Sequence, residues 1–383
     1  MNFIEKFLDA QRPKVQKGAK FHWLGSFFEA IDSFAFVSNK TASRKGAHIR
    51  DGIDMKRFMI IVCIALVPAL LFGMYNVGYQ HFLKQGVLDT MGFWQIFWEG
   101  FLVVLPRLIV SYVVGLTLEI VFAQVRNEDV NEGYFVSGLI IPLICPPDIP
   151  LWQLALAVIF AVVIGKEVFG GTGMNFMNPA LVARAFLFFA YPTKMSGDMA
   201  WIYDMPEGVT GPTPLAEFAA SGNSQYSLMD MVIGLIPGAV GETSFIAIMI
   251  GAALLLLTGV ASWRITLSVF AGGALMGLLF NAIGANDYMN VPFYYHFITG
   301  GFAFGAVFMA TDPVTASHTN CGKYIYGFLI GIMAVLIRVV NPAYPEGMML
   351  AILLLNVFAP LIDYYVVEAN IKRRKNRMKV SVK

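Results

Sequence analysis

The stretch Phe58-Met-Ile-Ile-Val-Cys-Ile-Ala-Leu-Val-Pro-Ala-Leu-Leu-Phe-Gly-Met-Tyr75 determines the class of fold. It carries no charged side chain and approaches the roughly 20 apolar residues that a helix needs to cross a bilayer. A helix that is apolar on all sides has no face for water, so it is buried in protein or lipid. The stretch therefore predicts a membrane-spanning helix.

The composition of the whole chain agrees with this interpretation. Of 383 residues, 57% are hydrophobic and only 14% are charged, and the mean hydropathy is +0.65. A soluble protein is about 25% charged, so most of this chain has no water-facing surface. A soluble enzyme, a secreted disulfide scaffold and a disordered protein are excluded, and an all-α integral membrane protein is predicted.

Similar apolar runs recur along the chain and predict ten transmembrane helices. Several of these runs are short and end at Pro or Gly, which predicts broken helices. The predicted spans are 58–75, 102–122, 134–146, 151–166, 177–191, 243–260, 264–283, 297–310, 324–340 and 347–367.

The distribution of positive charge predicts the orientation in the membrane. Of 27 Lys and Arg residues, residues 1–57 hold 11 and residues 372–383 hold 7. The predicted outer connections contain only Lys84 and Lys194. Cytoplasmic segments are enriched in Lys and Arg, and ten spans place both termini on one side. We therefore expect both termini in the cytoplasm.

An internal repeat divides the predicted core into two halves. Asn178-Pro-Ala180 recurs as Asn341-Pro-Ala343, and Pro147 and Pro313 each end a short apolar run. The predicted topology puts the matching elements on opposite sides, as in transporters with inverted repeats, although a tripeptide can also recur by chance. The expected units are an N-terminal arm (1–57), a core (58–367) with repeats at 58–191 and 243–367 around an outer loop (192–229), and a basic tail (368–383).

The N-terminal arm contains an aromatic segment, residues 21–37. Phe27, Phe28 and Phe34 lie among its apolar residues at helical spacing, and His22 and Trp23 precede them. An amphipathic helix at the membrane surface explains this pattern. The other interpretation is that the segment forms a wall of a site for a lipophilic ring, such as a quinone.

Motifs throughout the chain resemble the B-type membrane subunit of the sodium-translocating NADH:quinone oxidoreductases. The homologous D-type subunit of the Rnf electron-transport complexes is the second candidate, but it lacks so long an N-terminal arm. The resemblance implies a channel-like or urea-transporter-like core. It rests on His48-Ile-Arg-Asp51, Gly73-Met-Tyr-Asn76, Val130-Asn-Glu-Gly133, Lys166-Glu-Val-Phe-Gly-Gly-Thr-Gly173, Asn178-Pro-Ala-Leu181, Arg184-Ala-Phe-Leu-Phe-Phe-Ala-Tyr-Pro192, Met309-Ala-Thr-Asp-Pro313 and Arg338-Val-Val-Asn-Pro-Ala-Tyr-Pro-Glu-Gly-Met-Met-Leu350.

The resemblance implies that a threonine carries FMN through a phosphoester. The matching residue is Thr213 in Thr210-Gly-Pro-Thr213, where Pro212 replaces the usual Ala of the family. Thr210 is the alternative acceptor. From the residues alone, this Gly- and Pro-containing segment is also typical of an ordinary turn.

A second, non-covalent flavin, riboflavin, is implied near the cytoplasmic side. Gly171 and Gly173 would allow close backbone approach, and the amides of Asn175 and Asn178 could pair with the ring. A helix break capped by Asn is the alternative interpretation of the same residues.

Acidic residues within or beside the apolar runs are candidates for a sodium pathway. A carboxylate at the centre of a bilayer costs about 2.5–3.5 kcal/mol, and hard cations prefer oxygen ligands. Glu119, Asp312 and Asp363 match family acids tied to sodium uptake or release. Asp312 could instead be a turn residue, and Glu132 a charge at a helix entry.

Other residues of the apolar runs also need an explanation. Arg107, Arg184 and Arg338 require counter-charges, and Glu346 is a candidate partner of Arg338. Phe304 and Phe308 form a gate over an ion path or a closely packed helix face. The chain shows no Cys or His cluster typical of a metal site.

The predicted function is that of a membrane subunit that passes electrons from FMN through riboflavin to a quinone, coupled to sodium export. No Gly-rich dinucleotide motif follows a strand, so NADH oxidation is assigned to partners. The expected partners are a subunit with NADH, FAD and 2Fe-2S sites, a second subunit with covalent FMN, and small membrane subunits; no nucleic acid is expected. A channel-like transporter without a redox role is the alternative of another class.

Overall fold

The protein is an assembly of helices in the computed structural model, which describes residues 28, 55–126, 133–197, 199–206, 208–341 and 346–381. No β-strand occurs within these residues. The α-helices are α1 (Met55–Gln85), α2 (Phe93–Arg126), α3 (Tyr134–Ile144), α4 (Leu151–Val163), α5 (Pro179–Ala190), α6 (Pro192–Met195), α7 (Pro214–Ser221), α8 (Leu228–Ile233), α9 (Phe245–Leu257), α10 (Trp263–Ile283), α11 (Tyr295–Ile298), α12 (Phe302–Phe304), α13 (Asn320–Val340) and α14 (Met348–Ser381).

Shorter helical elements complete the chain. Single 3-10 turns occupy Leu88–Thr90, Glu167–Phe169 and Tyr288–Asn290, and a π-helix at Gly305–Met309 continues α12. In the described part of the chain, six helical segments are long and apolar enough to cross a membrane. Three more apolar helices, α3, α5 and α9, are shorter. The prediction of a multi-pass helical membrane protein is therefore confirmed.

Each of the ten predicted spans coincides with helical structure, but three helix ends lie well outside the predicted limits: the end of α1, the start of α2 at Phe93 and the end of α14. Helix α1 runs on to Gln85, so the predicted outer connection 76–101 is mostly helix. The reason is that polar side chains beyond the apolar run find partners: the Asn76 amide donates to the Ile236 carbonyl at 2.9 Å. At the other end, α14 continues through the predicted basic tail, where Lys372 and Glu368 form an exposed ion pair at 3.0 Å.

The predicted span 297–310 is not a continuous helix. It is divided into α11, α12 and the π-helix, with residues 299–301 between α11 and α12. Gly300 (φ 61°) and Gly301 (φ 69°) adopt left-handed backbone conformations that other residues rarely tolerate. This turn breaks the helix and exposes backbone carbonyls inside the protein.

The core is built from closely packed helix pairs. Helices α10 and α13 approach through glycines, since a side chain on Gly272 would meet the Phe328 backbone and one on Gly331 would meet that of Val269. Small residues allow such approach between membrane helices. Other fully buried side chains come from both predicted halves, and they include Leu66, Ile141, Val158, Val269 and Ile330.

Candidate functional site

The segment predicted as the outer loop (192–229) contains Thr213, which lies at the start of a helix. Its hydroxyl oxygen accepts a hydrogen bond from the Ala216 amide at 3.2 Å and caps α7. Thr213 is half-buried, whereas Thr210 is exposed. The Lys84 ammonium, which donates to the Thr210 carbonyl at 3.2 Å, brings a positive charge to this segment from the end of α1.

A cavity of about 390 Å³ opens beside Thr213. This volume lies within the roughly 300–1,000 Å³ of typical ligand sites. Its walls are mostly apolar, and a few polar groups come from Thr213, Thr243 and two carboxylates, as expected of a site for a large aromatic ligand. The walls include Phe188, Met195, Trp201, Leu215, Ile236 and Pro237, and the carboxylates are those of Glu242 and Glu346.

An ion-pair cluster lies behind this cavity. Arg184 of α5 contacts the Glu242 carboxylate at 2.6 Å and also the Glu346 carboxylate. The Arg184 side chain is only 4% exposed. The need of Arg184 for counter-charge was predicted, but Glu242 as its partner was not, because the two residues lie 58 positions apart.

Arg338 binds backbone carbonyls from distant parts of the chain. The Glu346 carboxylate contacts Arg184, whereas the Arg338 guanidinium donates to the Glu346 backbone carbonyl at 2.7 Å. It also donates to the carbonyls of His296 and Gly300, at 2.6 and 2.7 Å. Arg338 and Glu346 are therefore in contact, as expected, through the Glu346 backbone carbonyl, and Arg338 also binds the carbonyls exposed at the broken helix.

A second, smaller cavity of about 80 Å³ lies beside the Asn178 segment. It is lined by Lys166, Thr172, Asn175, Asn178, Phe308 and Asp312, among others. The structure thus brings together residues that the sequence analysis assigned separately to riboflavin and to sodium.

The two asparagines of this site have partners within the chain. Asn178 accepts from the Ala180 amide at 3.0 Å, which caps α5, and donates to Asp312 at 3.2 Å. Asn175 donates to the Met177 carbonyl at 3.0 Å. Gly171 (φ 89°) and Gly173 (φ 94°) form the preceding turn. These contacts agree with the capping interpretation of the segment.

The predicted ion-pathway acids occupy three different environments. Glu119 is buried and forms an ion pair with Lys166. Asp312 accepts hydrogen bonds from Asn178, Thr315 and the Val314 amide. The Asp363 carboxylate accepts from the hydroxyls of Ser317 and Thr319 and from the amides of His318 and Thr319.

The Phe304 and Phe308 rings are in contact, with centroids 4.9 Å apart. Both are buried. Phe308 lines the smaller cavity, and the Phe304 ring lies against Gly241, the neighbour of Glu242 in the wall of the larger cavity. The two rings therefore lie between the smaller cavity and the turn that carries Glu242.

Other predicted site residues fall elsewhere. His22, Trp23, Phe27, Phe34 and Glu132 lie outside the described residues, and Phe28 alone of the aromatic segment is described, as helical and partly buried. Arg107 is buried on α2, donates to the Val103 carbonyl and lies over the Tyr203 ring. Across the described residues, no group of three or more His, Cys, Asp or Glu side chains is arranged for a metal ion.

Comparison with known proteins identifies the family. A family model described as NQR2, RnfD, RnfE matches residues 42–372. Curated relatives named as the B component of Na(+)-translocating NADH-quinone reductase include those of Chromohalobacter salexigens (49% identical, covering 98% of this chain and 96% of the relative) and Ectopseudomonas mendocina (50%, covering 98% and 99%). The relative from Pseudomonas aeruginosa is 48% identical over 98% of this chain and 99% of its own length. The chain therefore belongs to the NQR2, RnfD, RnfE family.

Proposed function

We propose that the chain is the B-type membrane subunit of a sodium-translocating NADH–quinone reductase, in which it carries a covalent FMN on Thr213. The relatives that bear this name match over nearly their whole length, which favours it over the Rnf member of the same family. The observation that carries the proposal is the position of Thr213 at the rim of the 390 Å³ cavity.

The residues around Thr213 fit a phosphate-linked aromatic cofactor. The hydroxyl lies at the N-terminus of α7, where backbone amides favour an anion, and Lys84 is fixed nearby. Thr210 is exposed and does not line the cavity, so Thr213 is the better acceptor. Pro212 changes the backbone of the motif but not the acceptor hydroxyl.

Each part of the site has a separate task in this proposal. FMN supplies one- and two-electron chemistry when it is attached. Thr213 anchors the phosphate, Lys84 and the first turn of α7 balance its charge, and the apolar walls exclude water from the cavity. These tasks require only binding and orientation by the chain, since the redox chemistry belongs to the cofactor.

The smaller site fits an ion better than riboflavin. Its volume of about 80 Å³ is below the volumes of sites that bind drug-sized ligands. The side-chain amides of Asn175 and Asn178 already donate hydrogen bonds within the chain. Asn175 and Asn178 are therefore not the riboflavin site in this proposal, although riboflavin remains part of the proposed cofactor set.

The carboxylates of Glu119, Asp312 and Asp363 are proposed to lie along the pathway that sodium takes through the protein. The support is strongest for Asp312, whose carboxylate lies beside the smaller cavity and has neutral hydrogen-bond donors. A sodium ion there would supply the positive charge that a buried carboxylate needs. The contact between Phe304 and Phe308 at this cavity supports a gating role for the two rings.

The remaining parts of the proposal concern partners and location. We propose that quinone binds along the aromatic segment at 21–37, and that separate subunits oxidise NADH and carry the iron–sulfur cluster and a second covalent FMN. The chain is proposed to lie in the bacterial inner membrane with both termini in the cytoplasm and with ten spans in two inverted repeats.

Sodium transport driven by NADH tests this function. Inverted membrane vesicles that contain the complex should accumulate sodium when NADH and a quinone are added, and a protonophore should not abolish the uptake. A non-redox channel would instead pass sodium down its gradient without NADH, and that result would contradict the proposal.

A further inference from the structure

Two consecutive residues, Glu242 and Thr243, lie in the wall of the larger cavity on a rigid turn. The Gly241 amide donates to the Leu143 carbonyl at 2.8 Å, which joins the turn to the end of α3. Ser244 then caps α9 by accepting from the Ala247 amide at 3.3 Å. Because both sides of the turn are fixed, the two side chains have defined positions in the cavity.

The Thr243 side chain indicates that the cavity binds a ligand. The residue is only 4% exposed, and its hydroxyl has no hydrogen-bond partner among the described residues. A buried hydroxyl without a partner is unfavourable, so buried polar groups normally have one. Because Thr243 also lines the cavity, a ligand in the cavity is the candidate partner for this hydroxyl.

The Glu242 carboxylate is also held in the cavity wall. One of its oxygens contacts Arg184 at 2.6 Å, and the side chain is 7% exposed. Its other oxygen faces Gly301, where an added Cβ would lie 2.6 Å from it. The absence of a side chain at Gly301 therefore leaves space next to the carboxylate.

Charge determines which end of a flavin would reach these residues. The phosphate is attached at the rim, where Lys84 and the helix N-terminus are favourable for an anion. The inner wall holds the carboxylates of Glu242 and Glu346, which repel phosphate but accept hydrogen bonds from ring N–H groups. The three-ring end therefore points inward.

We propose that Glu242 and Thr243 contact the isoalloxazine ring of the flavin on Thr213 and set its reduction potential. This inference rests on the proposed function. The negative charge of Glu242 opposes added electron density on the ring, so it lowers the potential. The Thr243 hydroxyl donates to a ring acceptor that is more electron-rich after reduction, so it raises the potential.

Redox titration of the purified complex tests the proposed effects of Glu242 and Thr243 on the reduction potential. The signal of this flavin is isolated by subtracting the titration of the Thr213→Val complex, which removes only this cofactor. Glu242→Gln should raise its midpoint potential and Thr243→Val should lower it, each by a tenfold change in the equilibrium constant of two-electron reduction, about 30 mV. Thr243→Ser retains the hydroxyl and should restore the wild-type value.

Asp230→Asn is the matched control. The Asp230 carboxylate accepts from the Ser227 amide at 3.3 Å as part of the cap of α8, and it does not line the cavity. This variant should leave the potential unchanged. Unchanged potentials in both Glu242→Gln and Thr243→Val, with normal flavin content, would overturn the assignment of these residues. Absence of covalent flavin from the wild-type chain would instead overturn the proposed function.

If Glu242→Gln fails to assemble, Thr243→Val and Thr243→Ser decide the question, because they leave the ion pair with Arg184 intact. A lowered potential in Thr243→Val together with a wild-type potential in Thr243→Ser supports a contact between the Thr243 hydroxyl and the flavin ring. Equal potentials in Thr243→Val and Thr243→Ser overturn this contact.

Discussion

At the scale of single residues, buried charge in this protein is paired across long sequence distances. Arg184 binds Glu242 and Glu346, and Lys166 binds Glu119. A charge inside a membrane protein needs a partner or a function. The sequence shows which residues have this need, but only the packing of distant helices shows which partner meets it.

Loss of Arg184 should therefore destabilise the protein strongly. Arg184→Ala leaves two buried carboxylates without this partner, and breaking a buried pair costs about 3–5 kcal/mol. Lys372→Ala breaks the exposed pair with Glu368 and should cost about 0–1 kcal/mol. Thermal unfolding of the detergent-solubilised complex checks both variants. Equal melting temperatures for the two would contradict a structural role of the cluster.

The Asp312 carboxylate is expected to act on sodium rather than on folding. Asp312→Asn retains the shape of the side chain but removes the charge beside the smaller cavity, so the sodium concentration for half-maximal quinone reduction should rise about tenfold, the effect of roughly 1.4 kcal/mol of lost binding. Turnover is measured against sodium at fixed flavin content.

Asp230→Asn is the control for Asp312, since Asp230 belongs to the capping box of α8 and does not line the smaller cavity. It should leave the sodium dependence unchanged. If the sodium dependence of Asp312→Asn is unaltered, Asp312 has no role in sodium binding. Its contacts with Val314 and Thr315 would then only stabilise the turn.

At the scale of elements, the break before α12 is the feature that shapes the larger cavity. Gly300 and Gly301 line it, and the carbonyl of Gly300 is bound by Arg338. An unbroken helix would bond these carbonyls internally and close the space next to Glu242. The left-handed turn therefore links the backbone of this region to the site.

Two glycine variants separate the contact at Gly301 from backbone strain. Gly301→Ala places a Cβ against the Glu242 carboxylate, whereas at Gly259 (φ 73°) an added Cβ meets nothing within 4 Å. Both positions have a left-handed φ, which costs a non-glycine residue about 1–2 kcal/mol. Gly301→Ala should lower the melting temperature further than Gly259→Ala and reduce flavin content. Equal effects would show that the Glu242 contact has no influence.

At the scale of the whole molecule, much of the architecture follows from the sequence. Apolar runs predict where the helices are, because the bilayer demands length and hydrophobicity, and α3, α4 and α5 end close to their predicted limits. The extension of α1 beyond Asn76 was not predicted, since it depends on partners in distant segments such as the Ile236 carbonyl.

The candidate site was predictable in part. Thr213, Asn178 and Asp312 were found from motifs, and the structure brings the last two together. Glu242 and Thr243 were not predicted, because each lies in an ordinary local sequence and the cavity that they line is formed by distant parts of the chain. The unpartnered hydroxyl of Thr243 becomes visible only when its surroundings are known.

The proposed topology predicts that the two cavities belong to opposite sides of the membrane. In a cysteine-depleted chain, Thr210→Cys near the larger cavity should react with an impermeant thiol reagent added outside intact cells. Val168→Cys, which is exposed in the loop near the smaller cavity, should react only after permeabilisation. Labelling of both positions from the same side would contradict ten spans in two inverted halves.

The central claim is that this chain carries a flavin covalently on Thr213, and fluorescence of the denatured protein tests it most directly. The wild-type band should fluoresce under ultraviolet light after denaturing electrophoresis, because a phosphoester survives unfolding. Thr213→Val should abolish this fluorescence while the chain is still inserted in the membrane, and Thr210→Val should retain it. Undiminished fluorescence of the Thr213→Val band, or its loss in Thr210→Val alone, would contradict the account.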